Sequence, residues 1–220
     1  MNNRGEIRLA LSLGLVVALF LLNTFRAAKA IELCTECLYI LNNKAFMRSE
    51  VCQIFYDHII HFILFVAHCV INDSTSAINY GRTLLVILYN RGEKALESEV
   101  SLELARLYHR QCKHSEAKQF CRKALAIYAE IGQRKGEASC YESLGTVFLS
   151  LGEYIKAAEN LQRALEIREE IGDRIGQASC CGNLGSAFHF RGEYRKAEEY
   201  TTKALMIRKE YGDRRGEAAC

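Results

Sequence analysis

Apolar residues recur at steps of three and four through the second half of the chain, the spacing of one face of an α-helix. One apolar stripe covers residues 138–151 and a second covers 154–167, with Gly152 in the break between them. Gly172 ends the second stripe at a position that suits a left-handed residue, and Asp173 is a candidate cap for the next helix. The pattern predicts pairs of helices joined by short turns.

The same pattern is written twice in succession. When residues 136–175 are laid over residues 176–215, 21 of the 40 positions carry the same residue. Small residues, among them Gly145 and Ala157, occur where two helices must approach closely, because helix axes in contact lie about 8–10 Å apart. Such a fixed period predicts a solenoid, in which each unit packs only on its neighbours.

Small and large residues have the same spacing in both copies, and this spacing resembles that of the tetratricopeptide repeat family. The matching residues are Leu144-Gly145, Phe148, Gly152, Tyr154, Ala157 and Ala164, and again Leu184-Gly185, Phe188, Gly192, Tyr194, Ala197 and Ala204. This resemblance implies an all-α, right-handed α-solenoid of helix-turn-helix repeats. The forty-residue period and the Asn-Leu-Gly and Gly-Asp-Arg phrases are similar to the Pins/LGN type of G-protein signalling modulator. The chain shows no G-protein-binding motif, so that activity is not carried over.

Extending the period in both directions predicts the organisation of the whole chain. The predicted units are an apolar amino-terminal segment at 1–43, a degenerate repeat at 58–91, repeats at 98–131, 138–171 and 178–211, and the start of a further repeat at 213–220. The first helix of the degenerate repeat is expected at Ile59–Ile71. Supplying the rest of the last repeat is expected to raise the melting temperature, because a solenoid end needs a polar cap.

Two interpretations of the amino-terminal segment stay open. Residues 7–30 combine flanking basic residues, a short apolar run and a small-x-small sequence at Ala28-Lys29-Ala30, the three parts of a secretory signal or anchor. The same segment also fits a degenerate repeat hairpin, with Ala30 in the role of Ala197 and Cys37 in that of Ala204. We favour the hairpin, since cleavage after Ala30 would cut a repeat helix. Contact with a membrane would come only through residues 7–22.

Composition narrows the function further. A formal net charge of +3 is too small to indicate a nucleic-acid partner. Three of the ten cysteines, Cys140, Cys180 and Cys220, recur at the repeat period and are expected to be reduced, buried residues of a cytoplasmic protein. Cys34 and Cys37 with His58 and His61 imitate a zinc site, but only two residues separate the histidines, where three to five are usual. No metal, cofactor or catalytic set is predicted, and the chain is not expected to be an enzyme.

The resemblance implies a concave groove lined by the first helix of each repeat. The residues that it places there are Glu103, Arg106, His109, Arg110, Glu142, Ser143, Thr146, Ser150, Asn183, Ser186 and His189. They are polar and point away from the apolar stripes, as expected for contacts with the backbone of a peptide. The sequence therefore predicts a scaffold or adaptor that binds a protein or peptide partner. The alternative is a secreted or membrane-anchored repeat protein with an extracellular partner.

Overall fold

The computed structural model describes residues 3–42 and 50–211, and the side chains of 11–42 and 56–211. The described residues form ten helices: α1 (Asn3–Asn23), α2 (Ala27–Asn42), α3 (Glu50–Val70), α4 (Ser74–Arg91), α5 (Lys94–Arg110), α6 (His114–Glu130), α7 (Arg134–Ser150), α8 (Tyr154–Glu170), α9 (Arg174–Phe190) and α10 (Tyr194–Glu210). The chain divides into two compact units, residues 1–93 and 94–220. The predicted start of a repeat at 213–220, with Cys220, lies outside the described residues.

In the first unit, α1 packs against α2 and α3, and α3 packs against α2 and α4. The buried stripe of α1 consists of Leu11, Leu15 and Ala18, which share a hydrophobic cluster with residues such as Cys34 and Ile60. Each of these side chains is at most 4% exposed. The apolar run at the amino terminus therefore supplies part of the core of this unit.

Helix α3 is longer than the sequence predicted. It begins at Glu50, well before the expected start at Ile59. The repeat pattern covers only the positions that match between repeats, so it cannot show that a helix extends beyond them. In the structure the helix also includes the residues from Glu50 up to Ile59. Ile60, Ile63 and Leu64 are fully buried, in keeping with a helix that is apolar around much of its circumference.

The second unit consists of three hairpins, α5–α6, α7–α8 and α9–α10, and each hairpin packs on the next. A single hydrophobic cluster runs through all three, and it includes Cys121, Leu161 and Leu184 at 0% exposure. Gly145 is placed so that a β-carbon would come within 2.5 Å of Cγ of Leu161. The close approach predicted from the small residues is therefore confirmed at this position.

The turns between helices recur at a constant spacing along the sequence. From the end of α3 onward, left-handed residues recur every twenty positions: Asn72, Gly92, Cys112, Gly132, Gly152, Gly172 and Gly192. The left-handed conformation predicted for Gly172 is confirmed, with φ of 70°. The cap predicted at Asp173 is also confirmed, because its Oδ1 accepts a hydrogen bond of 3.0 Å from the N–H of Gly176. Equal turns at both ends of each hairpin keep the helices in register.

The described cysteines are free thiols, and most of them are buried. Burial raises the pKa of both Cys140 and Cys180 to about 12, so both side chains are neutral thiols. Among the described residues, no three His, Cys, Asp or Glu side chains are grouped so that they could hold a metal ion. None of the described helices combines the length and the apolar character that crossing a bilayer requires.

Candidate functional site

The first helices of the three hairpins in the second unit lie side by side. Helix α5 contacts α7, and α7 contacts α9, in addition to the packing of each on its own hairpin partner. The sides of α5, α7 and α9 that point away from α6, α8 and α10 form one continuous surface, which we call the inner face. It is the surface to which the sequence assigned the partner-binding residues.

The structure leaves all of those side chains at least partly open to solvent. Arg106, Arg110, Ser150, Ser186 and His189 are exposed, whereas Glu103, His109, Glu142, Ser143, Thr146 and Asn183 are half-buried. Their burial therefore allows contact with a partner. These residues differ, however, in the hydrogen bonds and ion pairs that they form within the chain.

On α5, Arg106 forms an ion pair with Glu103 one turn earlier. Both side chains are nearly half exposed, so a partner can reach the pair. His109 follows on the same stripe, with its ring centroid 5.4 Å from that of His114. Burial, and to a lesser extent His114, holds the pKa of His109 below its usual value, which favours the neutral imidazole. This end of the inner face thus presents a balanced charge pair beside a neutral ring.

Between α7 and α9 the inner face contains a polar cluster centred on Glu142. Oε2 of Glu142 accepts a hydrogen bond of 2.5 Å from Nη2 of Arg168. Oε1 accepts from Oγ of Ser179 at 2.5 Å and from Nδ2 of Asn183 at 3.4 Å. The charge of Glu142, which the sequence analysis assigned to partner recognition, is therefore already balanced within the chain, and it joins two successive hairpins.

Arg168 is the residue of this cluster that the sequence analysis missed. Its side chain is only 10% exposed, and its Nη1 donates to Oδ2 of Asp173 at 3.2 Å. Its backbone oxygen accepts from Nε2 of Gln177 at 3.1 Å. The sequence signal was present, since Arg168 stands at the end of the apolar stripe of α8, where a charged residue needs a buried partner.

Three hydroxyl groups of the inner face, those of Thr146, Ser150 and Ser186, donate to their own helices. Oγ1 of Thr146 donates to the carbonyl oxygen of Ser143 at 2.9 Å, and Oγ of Ser186 donates to that of Gly182 at 3.3 Å. An oxygen that donates in this way can still accept a hydrogen bond from outside. The middle of the inner face therefore offers small side chains and hydrogen-bond acceptors.

Near the end of α9, the two predicted residues Ser186 and His189 line a pocket of about 470 Å³ between α9 and α10. Phe190 and Tyr194 also line it, although the sequence analysis assigned no role to either. Phe190 is 61% exposed and stacks on Tyr154 of the preceding hairpin, with ring centroids 5.2 Å apart. The pocket is shared by α9 and α10, so it adjoins the inner face at Ser186 and His189 with an aromatic surface.

Comparison with known proteins identifies the class of the chain. A family model described as "Tetratricopeptide repeat" matches residues 96–170 and 149–210, which together span more than half of the sequence. The chain belongs to the tetratricopeptide repeat family. The predicted family and the predicted all-α solenoid class are confirmed, while the likeness to the Pins/LGN type stays a prediction.

Solved structures with the same fold include three that cover nearly all of the chain. The apo form of RapI has a TM-score of 0.82 at 18% identity, covering 92% of this chain and 72% of that one. BtubC from P. vanneervenii has a TM-score of 0.73 at 19% identity, covering 94% and 82%. A Rap protein complexed with Competence and Sporulation Factor has a TM-score of 0.66 at 15% identity, covering 96% and 69%. At these identities the likeness shows the fold alone. Comparison with curated protein sequences gives no match.

Proposed function

We propose that the chain is a non-enzymatic scaffold that binds a peptide segment of a partner protein along the inner face of the second unit. The observation that carries this proposal is the continuity of that face across three first helices, all of which present polar side chains open to solvent. A peptide backbone needs hydrogen-bonding groups at regular intervals along its length. Because equivalent positions recur once in each forty-residue repeat, α5, α7 and α9 present such groups at regular intervals along the inner face.

The bonding within the inner face indicates which residues contribute most. Glu142 is held by Arg168, so it serves to position Asn183, whose amide retains a second N–H and an oxygen for a peptide backbone. The Arg106–Glu103 pair lies at the surface, where exchange of one partner for a charged peptide side chain carries little penalty. We therefore assign recognition chiefly to Arg106 and Asn183.

The tetratricopeptide family supports a binding role, because its repeats are generally interaction modules. Among proteins of this fold, a Rap protein has been solved in complex with Competence and Sporulation Factor. We propose a cytoplasmic location, and the free thiols of the described cysteines support it because they fit a reducing compartment.

The test is a selection of binding peptides from a random display library, followed by affinity measurements with fluorescence anisotropy. Replacing Arg106 and Asn183 together by alanine should weaken the selected peptides about tenfold or more, since each lost hydrogen bond contributes about 1 kcal/mol and charge-assisted bonds contribute more. The matched control replaces Arg122 and Asn160, which lie on second helices, by alanine. Equal loss in both double variants, or no loss in either, would refute the assignment to the inner face.

A further inference from the structure

Helix α1 is apolar on two opposite sides. Its buried side, described above, packs into the core of the first unit. On the other side Leu13, Val16, Val17 and Phe20 are spaced as one helical stripe and are 63%, 63%, 41% and 62% exposed. We call these four residues the exposed stripe. A helix that is apolar all round is normally covered on every side, and a contiguous apolar patch of this kind marks a contact surface.

The turn after α1 adds a further exposed apolar group. Phe25 is 91% exposed, and it adopts a left-handed conformation with φ of 58°. That conformation is a genuine outlier for a bulky side chain. The N–H of Phe25 donates to the carbonyl oxygen of Leu22, and that of Arg26 donates to the carbonyl oxygen of Leu21. The other left-handed turns make the same pair of capping bonds, so what is unusual here is the bulky, exposed side chain. The backbone thus holds an aromatic ring in solvent just beyond the exposed stripe.

The charged residues nearest to the exposed stripe along the chain are basic, whereas the neighbouring helix α2 carries the exposed Glu32 and Glu36. Between Glu6 and Glu32 the only charged residues in the sequence are Arg8, Arg26 and Lys29. Arg8 precedes the exposed stripe on α1, while Arg26 and Lys29 follow it, and the latter two are exposed. An apolar strip with basic residues at both ends is complementary to a surface that is apolar inside and negative at its boundary.

This arrangement of charge disfavours a second copy of the chain as the covering partner. If two exposed stripes packed antiparallel, Arg8 of one copy would lie near Arg26 of the other. A parallel arrangement would place each arginine beside its own equivalent. These contacts between like charges oppose association in both arrangements, although Glu6, two residues before Arg8, would lie near the same contacts.

The composition of α1 also favours lipid over a protein partner. A protein interface normally has a polar rim around its apolar centre. Between Arg8 and Asn23, Ser12 is the only polar residue of α1 in the sequence, and its hydroxyl is hydrogen-bonded to that of Tyr56 at 3.0 Å. A bilayer interior requires no such rim, and its headgroups would meet the basic residues at the two ends.

We propose that the exposed stripe of α1 rests in the plane of an anionic lipid bilayer, with Arg26 and Lys29 against the headgroups. The buried stripe stays packed on α2 and α3, so only one side of the helix meets the acyl chains. Helices of this kind bind through buried apolar area together with attraction to anionic lipids. The exposed stripe and the inner face of the second unit consist of different residues, so the two surfaces can be tested independently.

The experiment is co-flotation of the full chain with vesicles of phosphatidylserine and phosphatidylcholine, compared with vesicles of phosphatidylcholine alone. The chain should float with the anionic vesicles, and less so as salt concentration rises. Replacing Val16 and Phe20 together by serine should lower the partition coefficient about tenfold or more, because two exposed apolar anchors are removed. Replacing Arg26 and Lys29 by glutamate should lower it by a similar factor on anionic vesicles.

The matched control replaces Val86 and Tyr89 by serine, since these α4 residues are 62% and 71% exposed in the same unit. This variant should float as the parent does, and circular dichroism should show that all variants keep their helices. Failure of the parent chain to float would overturn the proposal, as would equal loss in the control. If the parent forms a dimer that the Val16 and Phe20 variant abolishes, a second copy covers the exposed stripe. Capture of an acidic helical protein without vesicle binding would assign the surface to a protein partner.

Discussion

Replacing Gly145 by alanine is expected to destabilise the second unit, although the same change within a helix usually stabilises. Alanine is favoured over glycine in a helix interior by about 1 kcal/mol. At this position, however, the new β-carbon would lie 2.5 Å from Cγ and 2.8 Å from Cδ2 of Leu161. Carbon atoms in contact normally lie about 3.5–4.0 Å apart. Helices α7 and α8 must therefore separate, or Leu161 must leave its preferred conformation.

Gly182 provides the matched comparison, because it lies in the interior of α9 as Gly145 does in α7. A β-carbon at Gly182 would meet only Nη2 of Arg208, at the ordinary contact distance of 3.6 Å. Gly182→Ala should therefore raise the stability by about 1 kcal/mol. The preference of a helix for alanine over glycine is the same in both variants and cancels when they are compared. The difference in their free energies of unfolding therefore measures the packing penalty at Gly145. Overpacking of a core by one methyl group typically amounts to about 1–3 kcal/mol.

The assay is urea unfolding of each variant, followed by circular dichroism, with thermal unfolding as a second measurement. Each kcal/mol should correspond to about 2–4 °C for a chain of this length. The chain itself indicates how the penalty can be relieved, since buried Ala105 and Cys121 occupy the positions of Gly145 and Leu161 one repeat earlier. The double variant Gly145→Ala, Leu161→Cys copies that smaller pair and should be less destabilised than the two single changes predict together. Equal stabilisation by Gly145→Ala and Gly182→Ala would refute the packing argument.

The remaining predictions concern buried charge and buried thiols. Arg168→Met should lower the stability of the second unit by about 3 kcal/mol in urea unfolding, because Glu142 and Asp173 would keep their charges without a cationic partner, and an unchanged midpoint would contradict this. Iodoacetamide at mildly alkaline pH should modify exposed Cys112 but leave Cys140 intact in the folded protein, since burial raises the pKa of Cys140 to about 12 and only the thiolate reacts. Peptide mass spectrometry would show Cys140 modified only after unfolding or as the pH approaches that pKa, and rapid modification under native conditions would contradict its burial.

The features that the sequence predicted well are those that depend on neighbours in the chain. The helix pairs follow from the three- and four-residue spacing of apolar positions, and the left-handed turn at Gly172 follows from the conformational freedom of glycine. The cap at Asp173 involves an N–H only three residues away. Such interactions form within a single turn of the backbone, so residue identity and spacing are sufficient to predict them.

The bonding of the inner face could not be predicted in the same way. Glu142 is 26 residues from Arg168 and 37 from Ser179, and the atoms meet only after three helices have packed. The stacking of Phe190 on Tyr154 likewise joins two hairpins. The period predicted that these residues would lie on neighbouring helices. It could not predict which polar side chains would bond to one another and which would stay available to a partner.

The two junctions between the hairpins of the second unit use the same backbone geometry for opposite chemistry. At the first junction Leu102 and Tyr128 occupy the positions that Glu142 and Arg168 occupy at the second, and both are almost fully buried. A glycine of the following helix covers the Tyr128 ring in one case and the Arg168 guanidinium in the other. If the third hairpin packed directly on the first, Asp173 would meet an apolar surface in place of Arg168. Arg168 would in turn lose Asp173, one of its two carboxylate partners. The three-residue turns between hairpins already impose their order, and because an unpaired buried charge opposes apolar packing, the polar junction adds a penalty against mispairing of the repeated apolar stripes.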